Sequence, residues 1–374
     1  MRHLPTIVWT VLTAPLAAQT FVVDAARGAG AQFTSIATAI ANVPNGAVLR
    51  VRTGVYGPFA VVAKDVTVLC ESGTVVSVQL SAEPPVVIRD LAASQQVSIR
   101  GLRVVNVLGG ISFAVRNCAG TVLLDTCDSI SAVGLGVGGY LQILDSADVR
   151  VRGCLFAPTT GITCSCANSN VRVADSSFGS TWFGTEWVGS VVEFADTSLT
   201  SFGGLIGSAP VRLTGSSLRI LDGCTLTVNS GVLVSGTGTV RVDPGVTLEN
   251  GGSAAPFAPG IPVTTQDMPT LQASTGTQGG VASASLRGPN GGLGALYVGL
   301  SGPPTVAAPF ADAILLAPGT ENLQVLGIFG PSLTASYTVP PLPLLLGVRV
   351  TWQGVSADAT SGVQISNAVT YVHW

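Results

Sequence analysis

An eight-residue pattern, Val149-Arg150-Val151-Arg152-Gly153-Cys154-Leu155-Phe156, begins again 22 residues later as Val171-Arg172-Val173-Ala174-Asp175-Ser176-Ser177-Phe178. Copies of varying strictness start at residues 97, 122, 192, 211, 219 and 240. Taken at 97, 122, 149, 171, 192, 219 and 240, the starts lie 21 to 27 residues apart, within the range of solenoid coils. Positions one and three are apolar and position two faces the other way, as on a strand. The fifth place holds Gly101, Thr126, Gly153, Asp175, Asp196, Gly215 and Gly223, mostly types that tolerate a bend. The sixth holds Leu102, Cys127, Cys154, Ser176, Thr197 and Cys224, and the eighth Val104, Phe156, Phe178 and Leu199. If each copy is one turn of a coil, Phe156 stacks on Phe178 at roughly one strand spacing, about 4.8 Å.

Composition agrees with strands. Only 10% of residues are charged, while 46 are Gly and 22 Pro, too many breakers for a helical chain. A net charge of −3 leaves no basic excess to neutralise phosphates, which argues against nucleic acid as a partner. Residues 1–19 have a positive start, an apolar run and small residues before a cut near Ala18 or Gln19, so they read as a secretion signal. No later run of roughly 20 apolar residues predicts a membrane span. Secreted or cell-surface localisation is the expectation. Seven cysteines follow the signal, an odd number with no CxxC pair, and they read as buried packing or disulfide groups whose pairing the sequence leaves open.

Phe33, Ile36, Ile40 and Val43 are three or four apart, the spacing of one helix, which Pro44-Asn45-Gly46 ends. Ahead of a stack of strands, such a helix serves to cover the open edge of the first coil. Phe33-Thr34-Ser35-Ile36, Ala39-Ile40, Val43-Pro44, Gly46 and Val51-Arg52-Thr53-Gly54-Val55-Tyr56 resemble the N-terminal segment of secreted right-handed parallel β-helix proteins, the pectate-lyase-like and pectinesterase-like group. The resemblance covers about forty residues and implies the fold more than any one reaction. The octets stop after Leu248. Residues 251–270, rich in Gly, Pro and Ala, read as a linker. Seven strand-like runs near 281–287, 295–301, 313–317, 324–328, 333–339, 347–354 and 363–373 predict an antiparallel β-sandwich. The expected architecture is therefore all-β: a signal over 1–19, a right-handed parallel β-helix with an N-terminal capping helix over 20–250, the linker, and a small sandwich over 271–374.

Function is less legible. Trp182-Phe183-Gly184-Thr185-Glu186-Trp187 interrupts the repeats, and Trp182, Phe183, Glu186 and Trp187 form the ligand candidate, since sugar rings stack on flat aromatic faces. The alternative is that these rings fold back as local core. Asp175 and Asp196 share the fifth octet place on successive coils, close enough to share a proton or hold Ca²⁺. Asp at a turn more commonly bonds its own backbone, and no metal or cofactor is expected. Position-two residues Arg150, Arg172, Arg212 and Arg241, with Glu193 among them, read as a solvated face or a basic strip for acidic sugars. The resemblance would imply catalytic motifs that this chain lacks: no Gln-Asp pair with a later Asp as in pectinesterases, no histidine between residues 4 and 372 for a polygalacturonase, no calcium cluster with an arginine base as in pectate lyases. No catalytic residue is assigned. The leading expectation is a non-catalytic protein contacting polysaccharide or another surface component. The competing one is a polysaccharide lyase or esterase with its acids in the 175–196 region.

Overall fold

The computed structural model describes residues 19–78, 83–106, 110–131, 138–157, 161–180, 184–201, 209–252, 255–307, 310 and 312–374. Up to residue 265 the chain is a parallel β-solenoid of about nine turns with three strand faces. The first face starts with Thr20–Val23 and Ala47–Val51 and runs through Gln96–Arg100, Thr121–Asp125, Asp148–Arg152, Asn170–Ala174 and Val191–Ala195. The second runs from Gly54–Tyr56 through Leu155–Ala157 and Ser177–Ser180 to Thr247–Asn250. The third contains Phe59–Val62, Gly110–Arg116, Gly138–Leu144, Cys164–Ala167 and Thr185–Val188. The first and third faces merge where Val211–Ile220 and Val234–Val242 run through the corner as single long strands.

The octet is the corner from the first face to the second. Val149 pairs with Val171 and Phe156 with Phe178, and the two rings stack at a centroid separation of 5.3 Å. Phe113 meets Phe156 edge-on from the third face, so all three faces close on one apolar column. Two late copies are corrected by the register. Residues 211–214 belong to the third face, paired with Thr185–Val188. The true partner of Val192 is Leu218, so the copy placed at 219 is one residue out, Asp222 being the inserted residue at the bend.

Most corners from the first face to the second use a left-handed backbone residue, as at Asp175 (φ 50°) and Asp196 (φ 45°), where a short polar side chain lowers the cost of that region. The next residue, small and inward, closes a hydrogen-bond ladder. Ser176 Oγ accepts from Cys154 N at 3.1 Å and donates to Ala174 O at 2.7 Å. Cys154 Sγ does the same, accepting from Cys127 N at 3.3 Å and donating to Arg152 O at 3.2 Å. The corner from the third face to the first repeats the device through Ser146, Ser169 and Ser190. Such a contact satisfies a backbone N–H that the sheet ladders cannot reach. The cysteines at this place thus act as large serines. All seven are thiols, and burial raises Cys154 far above and pushes Cys224 up to about 12.

The helix Ile36–Asn42 starts at Ser35, whose Oγ accepts from Thr38 N, and buries Ile36, Ala39 and Ile40 in the end of the solenoid core. At the far end the expected linker is partly solenoid: Val263–Thr265 pairs with the strand above it and Phe257 bridges to Val234. The C-terminal region is antiparallel. Thr270–Ala273, Val281–Arg287 and Leu333–Thr338 form one sheet, and Leu293–Thr305, Ile314–Leu316, Asn322–Ile328, Arg349–Asp358 and Gly362–Val372 the other. They enclose Leu271, Leu286, Leu296, Phe329, Trp352 and Tyr371. Gly354 lies so close to Leu286 that a Cβ would stand 2.5 Å from its methyls, which explains a side-chain-free residue where the sheets meet.

Candidate functional site

Of the four residues expected to bind a ligand, Trp182 and Phe183 lie outside the described residues. Trp187 is a correction. Its ring is fully buried, edge-on to Phe194 at 5.6 Å, and its indole N–H donates to Thr185 Oγ1 at 2.8 Å. It shares the inward file of Cys166 and Leu213, so its faces meet core and no sugar. The alternation Thr185-Glu186-Trp187-Val188 carried that signal, since Glu186 must face out and its neighbours in. Glu186 does face out, on the third face, and accepts from Arg212 Nη1 at 3.2 Å.

Asp175 and Asp196 stand on adjacent coils, as their register requires. Neither opens into a groove with Glu186, which is on a different face. Asp175 Oδ2 lies 3.3 Å from Arg152 Nε, and Asp196 Oδ1 accepts from Gln272 Nε2 of the C-terminal region at 2.6 Å. Burial raises the pKa of both, against the pull of Arg152 on Asp175 and of Gln272 on Asp196. Among the described residues no cluster of three or more His, Cys, Asp or Glu is arranged to hold a metal ion.

The outward arginines hold the largest departure from expectation. Position two of the first face runs Leu123, Arg150, Arg172, Glu193, Arg219, Arg241; Arg212 sits on the third face instead, and Arg219 takes its place. The file is neither a solvated face nor an open basic strip, because the C-terminal sheets lie on it. Arg150, with a side chain 4% exposed, donates to Asp148, to Ser301 Oγ at 2.6 Å, to Thr370 Oγ1 at 2.9 Å and to Gly302 O at 2.6 Å. Arg219 joins Glu193 at 2.9 Å, Asp312 at 3.3 Å and Ile365 O. Arg152 donates to Ala273 O. In return Arg349 reaches down to Ser98, Gln96, Thr67 and Asp65. An apolar seam of Val48, Leu69, Leu123, Leu346 and Val372 and the Trp374 ring over Arg100 at 4.5 Å complete the junction. The signal missed was that Val48, Leu69 and Leu123 are apolar at outward places, which only a covering domain makes favourable.

With the first face covered, the outer surfaces of the other two meet no further sheet among the described residues. On the third, Gln142, Ser165, Glu186 and Arg212 follow one another in register on successive coils, with Tyr140 and Arg116 beside them. Arg116 binds Gln142 Oε1 through Nε at 2.9 Å and Nη2 at 2.7 Å. Burial raises the pKa of Tyr140, with Arg116 opposing it. On the second face Ser177, Ser198, Thr225 and Thr247 form a hydroxyl row of the same pitch. Rows of donors and acceptors repeating at about 4.8 Å suit a long, hydroxyl-bearing chain better than a compact molecule.

No family model matches this chain, and no curated protein does. Among solved structures, it is similar to the pectin methylesterase of Aspergillus niger, at 15% identity over 68% of this chain and 84% of that one, TM-score 0.34. It is also similar to tailspike protein 2 of Escherichia coli O157:H7 bacteriophage CAB120, at 11% identity over 96% of this chain and 64% of that one, TM-score 0.34. The enzymatically active domain of a bacteriophage CBA120 tailspike protein 2 aligns at 12% identity over 95% of this chain and 71% of that one, TM-score 0.34. Likenesses of this size carry no information on the reaction or the substrate.

Proposed function

We propose that this protein is an exported β-solenoid that lies along polysaccharide through its uncovered faces and does not cleave it. The observation that carries the reading is the in-register polar row Gln142, Ser165, Glu186, Arg212 on the third face, left open while the first face is sealed by the C-terminal sheets. A repeating polymer meets such a row with one contact per coil, so weak individual hydrogen bonds add along the chain. The acids that a lyase or esterase would use are committed elsewhere: Asp175 to Arg152, Asp196 to Gln272 and Glu186 to Arg212. Two carboxylates working on one bond have to face a common groove, and these three do not.

A glycan array with purified protein tests binding, and reducing-end and unsaturated-product assays on the glycans retained test cleavage. Arg116→Ala combined with Arg212→Ala, both on the open face, is expected to weaken retention at least tenfold without altering the unfolding midpoint. Retention unchanged in that double variant refutes the face, and product release by the wild type refutes the non-catalytic reading.

A further inference from the structure

We propose that two copies of this chain associate about a two-fold axis by antiparallel pairing of the edge strand Asn322–Ile328 of the C-terminal region. This association is independent of the polysaccharide role. Asn322–Ile328 pairs on one side with Leu293–Thr305 and, among the described residues, with no strand on the other. Beside it Leu333–Thr338 pairs only with Val281–Arg287, so this flank of the two sheets ends in two open edges.

The backbone asks for a strand. Phe329 donates its N–H to Gly292 O at 2.8 Å and accepts from Gly291 N at 3.1 Å. Antiparallel strands alternate, so the N–H and C=O of Ile328 and Leu326 point away from that neighbour, towards water or a further extended chain. Edge strands that stay in water ordinarily carry Lys, another charge or Pro to keep a second chain away. Neither 322–328 nor 333–338 contains one. Leu323, Leu326 and Ile328 are instead 47%, 59% and 71% exposed, and half-exposed Leu293 pairs across from Ile328. Together they present on the order of 400 Å² of apolar surface, the size at which a patch marks an interaction site. Joining two such edges buries on the order of 1,000 Å² in total, the lower bound for a specific interface.

Charge decides which partner fits. Of the charged side chains after residue 270, Arg287, Asp312 and Arg349 are taken by the solenoid. Asp358 is held in its own turn by the N–H groups of Thr360 and Ser361, which leaves Glu321 at one end of the edge strand. A charged peptide or polymer finds nothing else there to pair with. A second copy does fit, because the two-fold axis reverses the strand. The two Glu321 carboxylates then lie at opposite ends of the paired strands, and the apolar residues of each edge meet those of the other.

Sedimentation equilibrium of the full chain should show the mass rising from one chain to two, and no further, as concentration increases through the micromolar range. In hydrogen exchange, the Leu326 and Ile328 amides should exchange at least tenfold more slowly in the dimer than in the dilute monomer. Leu326→Lys combined with Ile328→Lys, both at exposed places, should weaken dimerisation at least a hundredfold, with the unfolding midpoint of dilute protein within a few degrees of wild type. Leu326→Pro removes an outward N–H and no internal bond, and should weaken it at least tenfold. If the proline variant does not fold, amide exchange in the wild type separates pairing of the edge from simple contact between leucines. A single-chain mass at every concentration, a dimer that tolerates both lysines, or one whose Leu326 and Ile328 amides exchange as in the monomer, overturns the pairing.

Discussion

Replacing Ser176 by alanine isolates the corner ladder, the device that lets one coil sit on the next. Its Oγ is buried and has two partners, the N–H of Cys154 in the coil before and the carbonyl of Ala174 in its own. The carbonyl survives the change, since Gly153 N also donates to it at 3.1 Å. The Cys154 N–H does not. Left buried without an acceptor it costs about 1–3 kcal/mol, and the lost bond to Ala174 adds about 1 kcal/mol, so Ser176→Ala should destabilise the solenoid by roughly 2–4 kcal/mol. Ser176→Cys should cost under about 1.5 kcal/mol, because Cys127, Cys154 and Cys224 fill the equivalent place in other coils. Urea unfolding followed by circular dichroism gives the difference in stability, and native-state hydrogen exchange should show faster exchange at the Cys154 amide in the alanine variant alone. A loss below about 0.5 kcal/mol in Ser176→Ala, or an equal loss in Ser176→Cys, would refute the ladder as the reason for small polar residues at the corner.

Phe156→Ala and Phe178→Ala should each cost about 3–5 kcal/mol, and the double variant should fall short of the sum by roughly 0.5–1.5 kcal/mol, because the rings stack at 5.3 Å; additivity in denaturant unfolding would contradict the column. Arg150→Met removes one partner of a buried pair and three contacts to the C-terminal sheets, and should cost about 3–5 kcal/mol, seen as protease cleavage between residues 266 and 269 with the solenoid intact. Buried His373, whose Nε2 is 2.9 Å from the Tyr337 hydroxyl, has its pKa lowered by burial to about 4. The unfolded chain then binds the proton first as pH falls, so this stability is whole above pH 6.5 and is lost towards pH 4, by about 3 kcal/mol at most. A wild-type stability curve that parallels His373→Gln across that window would count against it.

The repeat was legible in the chain because its causes are local. A strand's period of two puts Val149 and Val151 inside, a left-handed corner asks for Gly or Asp at residues 153, 175 and 196, and stacking in register then aligns Phe156 with Phe178 whatever the rest of the protein does. The helix over residues 36–42 and the C-terminal strands followed from periodicity and breakers in the same way, with one further strand at Thr270–Ala273. Trp187 was readable too, had the alternation through Glu186 outweighed the appeal of an aromatic cluster.

What tertiary structure decided is which outer surface meets water. Alternation separates the inside of a coil from its outside, and nothing within a coil records that another part of the chain lies on that outside. Arg150 therefore reads as solvated and is in fact buried, as is Arg219, which holds the outward place expected of Arg212, because their partners, Ser301, Asp312, Ile365 and Thr370, come from residues more than ninety positions away. The site follows the same division: the sequence supplied the rows of polar side chains, and only the docking of the C-terminal sheets determined which rows remain free to bind.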